Sequence, residues 1–243
     1  MIVPPGAGDS GGSSEEGWQA LARSGVELEV VCPDRNVYWL ESGYDEAVLI
    51  PALLEEVARA EKEGCHAVVV VTVGDVGLWA LKQAARIPVV STAEAGLLCA
   101  LALGDKFSVL TGLPESVRAI EHGVRAKGLQ DRMASVVPAH VSLSEFADPE
   151  RLAKAFLAAA RHAVAEDGAD VIVLGCGGMP AVARALSGEL PVPVVDPADA
   201  GVELARSLVS MGLVQSRVCF PPPRRFKLGR QGVLATGGNS DGG

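Results

Sequence analysis

Val68-Val-Val-Val-Thr72-Val-Gly74-Asp75, followed after a helical stretch by Ile87-Pro-Val-Val-Ser-Thr-Ala-Glu-Ala-Gly96, decides the fold, because the chain repeats it. The second copy is Val171-Ile-Val-Leu-Gly175-Cys176-Gly177-Gly178, then a helical stretch, then Val192-Pro-Val-Val-Asp-Pro-Ala-Asp-Ala-Gly201. The closing ten-residue stretches share six identities and two conservative exchanges. Thr72 to Gly96 is 24 residues, and Cys176 to Gly201 is 25. Each unit reads as strand, tight turn, helix, strand, helix. The apolar runs show no polar alternation, which marks strands buried on both faces of a parallel sheet. Two such units predict two pseudo-symmetric α/β lobes, each a parallel sheet flanked by helices, with a cleft between them. Ligands bind outside the carboxyl ends of parallel strands. Thr72 and Cys176 occupy equivalent strand ends, so they are expected to approach one cleft from opposite sides.

The alternation continues on either side of the repeat. Strands are expected at 26–31, 67–73, 88–91, 107–111, 134–137, 171–174 and 193–196. Helices are expected at 51–63, 78–86, 93–103, 115–127, 149–167, 180–187 and 200–211. Residues 1–92 and 202–225 are assigned to one lobe and residues 93–201 to the other. Only Met1-Ile-Val3 precedes Pro4, so either that sheet edge is short or the native start lies upstream. Pro4–Glu16 is rich in Gly and Ser and reads as a loop. Residues 226–243 have little to bury and are expected to be a disordered tail.

Composition narrows the function. The chain has 243 residues, a formal net charge of −9 and 49% hydrophobic residues. An acidic balance argues against nucleic-acid binding, which needs basic surface to neutralise phosphates. The longest apolar run, around Ala67–Val71, is far short of the ~20 residues that span a bilayer. No secretory signal pattern is visible, so a cytoplasmic protein with reduced thiols is expected. The five cysteines stand at 32, 65, 99, 176 and 219, without a Cys-x-x-Cys pair. No metal site is therefore expected. Gly6-Ala-Gly8 lacks a following Gly-Lys-Ser/Thr, so nucleotide binding is rejected.

The two turns carry the chemistry. Cys176 precedes Gly177-Gly178 and a helix opening near Pro180. Backbone N–H groups there can lower a thiol's pKa and hold a substrate carboxylate or enolate oxygen. The alternative is a buried apolar cysteine beside turn glycines; the duplicated frame favours function. A threonine hydroxyl is a much weaker acid than a thiol, so Thr72 can donate a hydrogen bond or relay a proton rather than act as a resting base. Asp75 reads mainly as a cap of the next helix. Glu94 and Asp199 are equivalent in the repeat and read as helix-start residues. Pro4 and Pro5 follow the first strand and should lie at the cleft rim. Thr111 ends the strand between the repeats, as a ligand hydroxyl or a helix cap. Tyr38 and Trp39 could line an apolar substrate pocket or serve as core or dimer contacts. The other four cysteines read as packing residues, and none of the four histidines is a convincing general base.

These pieces resemble the aspartate/glutamate/hydantoin racemase superfamily from Ile2 to about Pro223. The stretches that carry the likeness are Ile2-Val-Pro-Pro-Gly6, Glu41-Ser-Gly-Tyr-Asp-Glu46, Val73-Gly-Asp-Val-Gly-Leu78, Phe107-Ser-Val-Leu-Thr111, Val173-Leu-Gly-Cys-Gly-Gly-Met179 and Pro193-Val-Val-Asp196. The resemblance implies a cofactor-independent enzyme acting on a small molecule, and a homo-oligomer. It also implies two cysteines on opposite faces of the substrate, one removing the α-proton and the other returning one. Cys176 matches the second cysteine. Thr72 stands where the first is expected, and Val76 replaces a proline common in the hydantoin branch. Arylmalonate decarboxylases look similar and keep a single cysteine in a Cys-Gly-Gly context, but bind their enediolate with hydroxyls where Val73 and Gly74 stand here.

The expected activity is racemisation or epimerisation at a carbon next to a carbonyl, with Cys176 and Thr72 as the catalytic pair. The expected substrate contacts are Pro4, Pro5, Val73, Gly74, Thr111, Gly177 and Gly178. A single-cysteine decarboxylase and a non-catalytic ligand-binding relative are the alternatives.

Overall fold

A computed structural model describes residues 1–3, 18–19, 21–22, 25–33, 42–72, 74–142, 145, 148–175 and 179–223. Among them, helix α1 (Gly43–Lys62) leads to strand β1 (Val68–Val70), α2 (Leu78–Ala84), β2 (Val89–Ser91) and α3 (Thr92–Leu103). The second half runs β3 (Phe107–Thr111), α4 (Val117–Ala126), β4 (Met133–Pro138), α5 (Pro149–Ala165), β5 (Val171–Leu174), α6 (Pro180–Ser187), β6 (Val194–Val195) and α7 (Pro197–Ser210).

The strands form two parallel sheets. The second has the order β4-β3-β5-β6. In the first, β1 pairs with β2, Ile2 bridges to Val70 on the other side of β1, and Val31 bridges to Ile2. Both sheets thus have four positions in the same order, with β1 matching β5 and β2 matching β6. The duplication read in the sequence is a duplication of topology.

Both faces of each sheet are covered, which is why the strands carry unbroken apolar runs. Successive side chains of a strand point to opposite faces. Val68 and Val70 accordingly pack with Leu49, Leu53 and Val57 of α1 and Leu81 of α2. Val69 and Val71 face the other way, onto Ala198, Val202 and Ala205 of α7. In the second sheet, Ile172 and Leu174 pack with Leu152 and Phe156 of α5 and Val182 and Leu186 of α6. Val171 and Val173 meet Leu97 and Ala100 of α3 and Ile120 and Val124 of α4.

The two halves exchange a helix. Helix α3 follows the first sheet but covers the second; α7 follows the second sheet but covers the first. Two equivalent glycines permit the close approach. A Cβ on Gly96 would lie 3.1 Å from Pro197 and 3.2 Å from Val173, and one on Gly201 would lie 3.0 Å from Val69. The Ala-Gly pair that ends each copy of the repeat is therefore a packing requirement between halves.

Several boundaries differ from expectation. The strand expected at 26–31 is reduced to one bridge at Val31: the pairing is parallel with Ile2 opposite Val31, so residues 26–29 run past Met1 without a ladder partner among the described residues. The helix expected from Pro51 starts at Gly43, where Ser42 and Asp45 form a reciprocal capping box, and Pro51 sits inside it. Helix α7 starts at Pro197 rather than 200, because Asp196 caps it and Pro197 takes the first position. Cys32, Cys99 and Cys219 are exposed rather than packed inside. No helix among the described residues is long and apolar enough to cross a membrane.

Candidate active site

A cavity opens where the carboxyl ends of the two sheets meet. It is lined by Thr72, Gly74 and Asp75 after β1, by Val173, Leu174 and Gly175 at the end of β5, and by Ala93, Leu97, Ile120, Gly123, Val124, Lys127 and Pro197 on the helices around them. Its empty volume, open mouth included, is about 450 Å³, a size that suits a small ring molecule.

Thr72 is 5% exposed, and its hydroxyl has no hydrogen-bond partner among the described residues. A buried hydroxyl without a partner is costly, and here it belongs to a residue of the cavity wall. The backbone of Thr72 is fixed from α3: the Thr92 hydroxyl accepts from the Thr72 N–H and donates to the Thr72 carbonyl, both at 3.2 Å. The main chain is pinned while the Thr72 side chain stays uncommitted. Across the cavity Gly175, which directly precedes Cys176 in the chain, donates its N–H to the Leu110 carbonyl at 2.6 Å.

Asp75 differs from its expected role. Helix α2 is preceded by Gly77 with no side-chain cap, and the Asp75 carboxylate turns elsewhere. It accepts hydrogen bonds from the Ser91 hydroxyl and from the Lys127 ammonium. Its φ is 59°, a left-handed conformation that a non-glycine residue holds only when its surroundings impose it. The two side-chain bonds are the imposition. Burial pulls the Lys127 ammonium below its ordinary value. The Asp75 carboxylate is its ion-pair partner.

The second turn is tied in the corresponding way. Ser91 caps α3 by accepting from the Glu94 N–H at 3.0 Å, while holding Asp75 three residues past Thr72. Its equivalent, Asp196, caps α7 by accepting from the Ala198 and Asp199 N–H groups at 2.8 and 3.4 Å. Asp196 also accepts from the Met179 N–H at 3.0 Å, three residues past Cys176. In both halves the residue that starts the second helix anchors the turn after the first strand. Glu94 and Asp199 lie in the first turns of α3 and α7.

Burial raises the Asp196 carboxyl above its ordinary value, against its backbone hydrogen bonds. An acid whose native value is raised holds its proton in the folded chain at a pH where the unfolded chain has released it. Stability from this group therefore falls as pH rises from the ordinary value through the native one. Asp196→Asn removes the titration and sets an amide N–H₂ against the Met179 N–H. The stability difference, wild type minus Asp196→Asn, is expected to shrink between about pH 4 and about pH 7. Urea melts at the two pH values measure it, and a constant difference would reject the assignment.

Of the expected site residues, Thr72 and Gly74 line the cavity. Thr111 does not: it is buried, and its hydroxyl donates to the Leu113 carbonyl at 3.4 Å. The expectations for Pro4, Pro5, Tyr38, Trp39, Val73, Cys176, Gly177, Gly178 and the tail lie outside the described residues. Sequence reasoning missed Lys127, Ser91, Thr92 and Asp196. Only the last three carried a signal, as helix-start residues within the repeat. Among the described residues no group of three or more His, Cys, Asp or Glu is placed to hold a metal ion.

Two α/β halves around a cavity at their strand ends, with an exchanged helix on each, define a two-lobed enzyme scaffold. The family model for Asp/Glu/Hydantoin racemase matches residues 13–205. The chain is 38% identical to a hydantoin racemase of Paenarthrobacter aurescens over 201 residues, 82% of this chain and 85% of that protein. Its structure superposes on an allantoin racemase from Klebsiella pneumoniae with a TM-score of 0.85 and 30% identity, covering 95% of each chain. An arylmalonate decarboxylase, at a TM-score of 0.60 and 22% identity over 87% of this chain and 92% of that one, shares the fold. The chain belongs to the Asp/Glu/hydantoin racemase family and is an isomerase of the racemase class.

Proposed function

We propose that the protein is a cofactor-independent racemase or epimerase that inverts a carbon next to a carbonyl in a small ring ureide of the hydantoin type. Cys176 is the principal acid/base and Thr72 the weaker partner on the opposite face. The observation that carries this reading is the unpartnered, buried Thr72 hydroxyl on the wall of a cavity whose other side ends at Gly175. A relative named as a hydantoin racemase and a structural neighbour named as an allantoin racemase support the substrate class.

In this mechanism the Cys176 thiolate takes the α-proton, the electron pair of the broken C–H bond forms the C=C bond of an enolate, and the carbonyl π-pair moves onto oxygen. Return of a proton to the other face inverts the centre. The helix that starts at Pro180 and the glycines after Cys176 favour the thiolate. A hydroxyl gives and takes protons less readily than a thiol, so the two enantiomers should exchange their α-protons at unequal rates.

Proton NMR in deuterium oxide tests the reading. Each enantiomer of a 5-substituted hydantoin is expected to lose its α-proton signal without losing carbon, one faster than the other. Release of carbon dioxide from an arylmalonate, with no exchange in the hydantoins, would replace a racemase with a decarboxylase. Ligand binding without turnover would leave a non-catalytic relative.

A further inference from the structure

The cavity wall is almost wholly apolar. Among its described residues the polar side chains are Thr72, Asp75 and Lys127. Lys127 is the one cation among them, and it comes from the far side of the cleft. It follows α4, which packs on the second sheet, whereas Asp75 follows β1 of the first. Their ion pair spans the mouth between the halves, with 23% of the Lys127 side chain and 11% of the Asp75 side chain exposed. An ammonium has three protons to donate, and Asp75 is its acceptor among the described residues. The ammonium therefore has donor capacity left for a ligand.

We propose that Lys127 is a substrate-contacting catalytic residue, whose ammonium, steadied by Asp75, binds the carbonyl oxygen on which negative charge builds when the α-proton leaves. This rests on the racemase reading above. The α-C–H bond breaks and its proton goes to the acid/base group. The electron pair forms the C=C bond of the enolate, and the carbonyl π-pair moves to oxygen beside Lys127. Reprotonation at carbon reverses the flow, so no oxidant or co-reactant is consumed. A fixed cation in an apolar, partly water-excluded wall stabilises charge far better than one in water.

The placement also selects a substrate class. A carboxylate substrate is already anionic before reaction, so the cation also binds its ground state, and part of the interaction is spent before the charge grows. A ring carbonyl that is neutral at rest and anionic in the transition state gains the full difference. The structure thus favours neutral ring ureides over free amino acids.

Lys127→Met alone leaves the Asp75 carboxylate buried and unpaired, which can unfold the turn. The double variant Asp75→Asn/Lys127→Met removes both charges, and Asp75→Asn alone retains the cation. Calorimetry with the barbiturate anion, a planar ring oxyanion, and with neutral hydantoin supplies a readout independent of turnover. Wild type and Asp75→Asn are expected to prefer the anion at least about tenfold, and the double variant to lose that preference while still binding the neutral ring. In deuterium exchange the double variant should lose about a hundredfold to a thousandfold in kcat with little change in KM. Retention of the anion preference by the double variant, equal loss of both ligands, or an unchanged kcat would overturn the proposal. Absence of exchange in the wild type with every hydantoin would overturn the racemase reading instead, and the calorimetry would then decide Lys127 alone.

Discussion

Replacing Cys176 by alanine is expected to lower α-proton exchange about a hundredfold to ten-thousandfold, the range that a positioned acid/base group contributes. The loss should appear with both enantiomers, because each direction of inversion uses the thiol once, as base or as acid. Thr72→Ala should behave differently. It leaves the thiol, so the enantiomer whose α-proton faces Cys176 should still exchange, while exchange from the other enantiomer should fall and inversion should fall equally in both directions, because enantiomers have equal energy. Thr72→Cys should narrow the rate difference between enantiomers by supplying a second thiol. The measurement is exchange from each pure enantiomer, with circular dichroism as the fold control. Full activity in Cys176→Ala would remove the thiol from the mechanism, and equal losses of α-proton exchange from the two enantiomers in Thr72→Ala would remove the asymmetry between the two faces.

Gly175→Ala is expected to be among the most damaging conservative substitutions. A Cβ there would lie 2.7 Å from Val109 Cγ1 and 2.9 Å from the Leu110 carbonyl oxygen. The valine can turn, but the carbonyl belongs to the central strand β3 and already holds the Gly175 N–H. Relief requires the end of β5 to move away from β3, which breaks that bond. Overpacking against yielding side chains costs about 1–3 kcal/mol; against backbone the cost should reach the upper end or exceed it. Because Cys176 is the next residue, activity should fall by more than the folded fraction does. Denaturant melts and exchange rates on the same samples separate the two effects. A stable, fully active Gly175→Ala would show that the strand end adapts, against the contact geometry.

The fold was legible because its signal was repeated. The two valine-rich runs, the matching turns and the Pro-Val-Val stretches each constrain one half, and their spacing constrains both. Phe107–Thr111, Val171–Leu174 and Pro180–Ser187 occur with the expected bounds. The misplaced starts came from rival local signals. Pro51 reads as a first helical residue, although the Ser42–Asp45 box, which begins nine residues earlier, is the stronger signal. The positions of the two strand ends were equally legible, but the polar ties around them were not. Asp75 precedes a helix, so its local pattern reads as a cap; its partner Lys127 is 52 residues away and sits in an Ala-Lys-Gly run that reads only as a helix end. Ser91 and Asp196 do the same work with different atoms, a hydroxyl and a carboxylate. Matching identities could not pair them.

The exchanged helices bear on how the chain reaches this state. β1 is made early, yet the helix that covers its Val69 and Val71 face spans Pro197–Ser210. During synthesis the first sheet must wait, with one apolar side open, until more than a hundred further residues have emerged. The second sheet is in the opposite position, since α3, which covers it, is already made before its strands appear. Neither half can complete its core alone. Long-range closure of this kind slows folding and lengthens the exposure of apolar strands. The chain should therefore melt in one cooperative step, and a fragment ending before Pro197 should be aggregation-prone rather than a folded half.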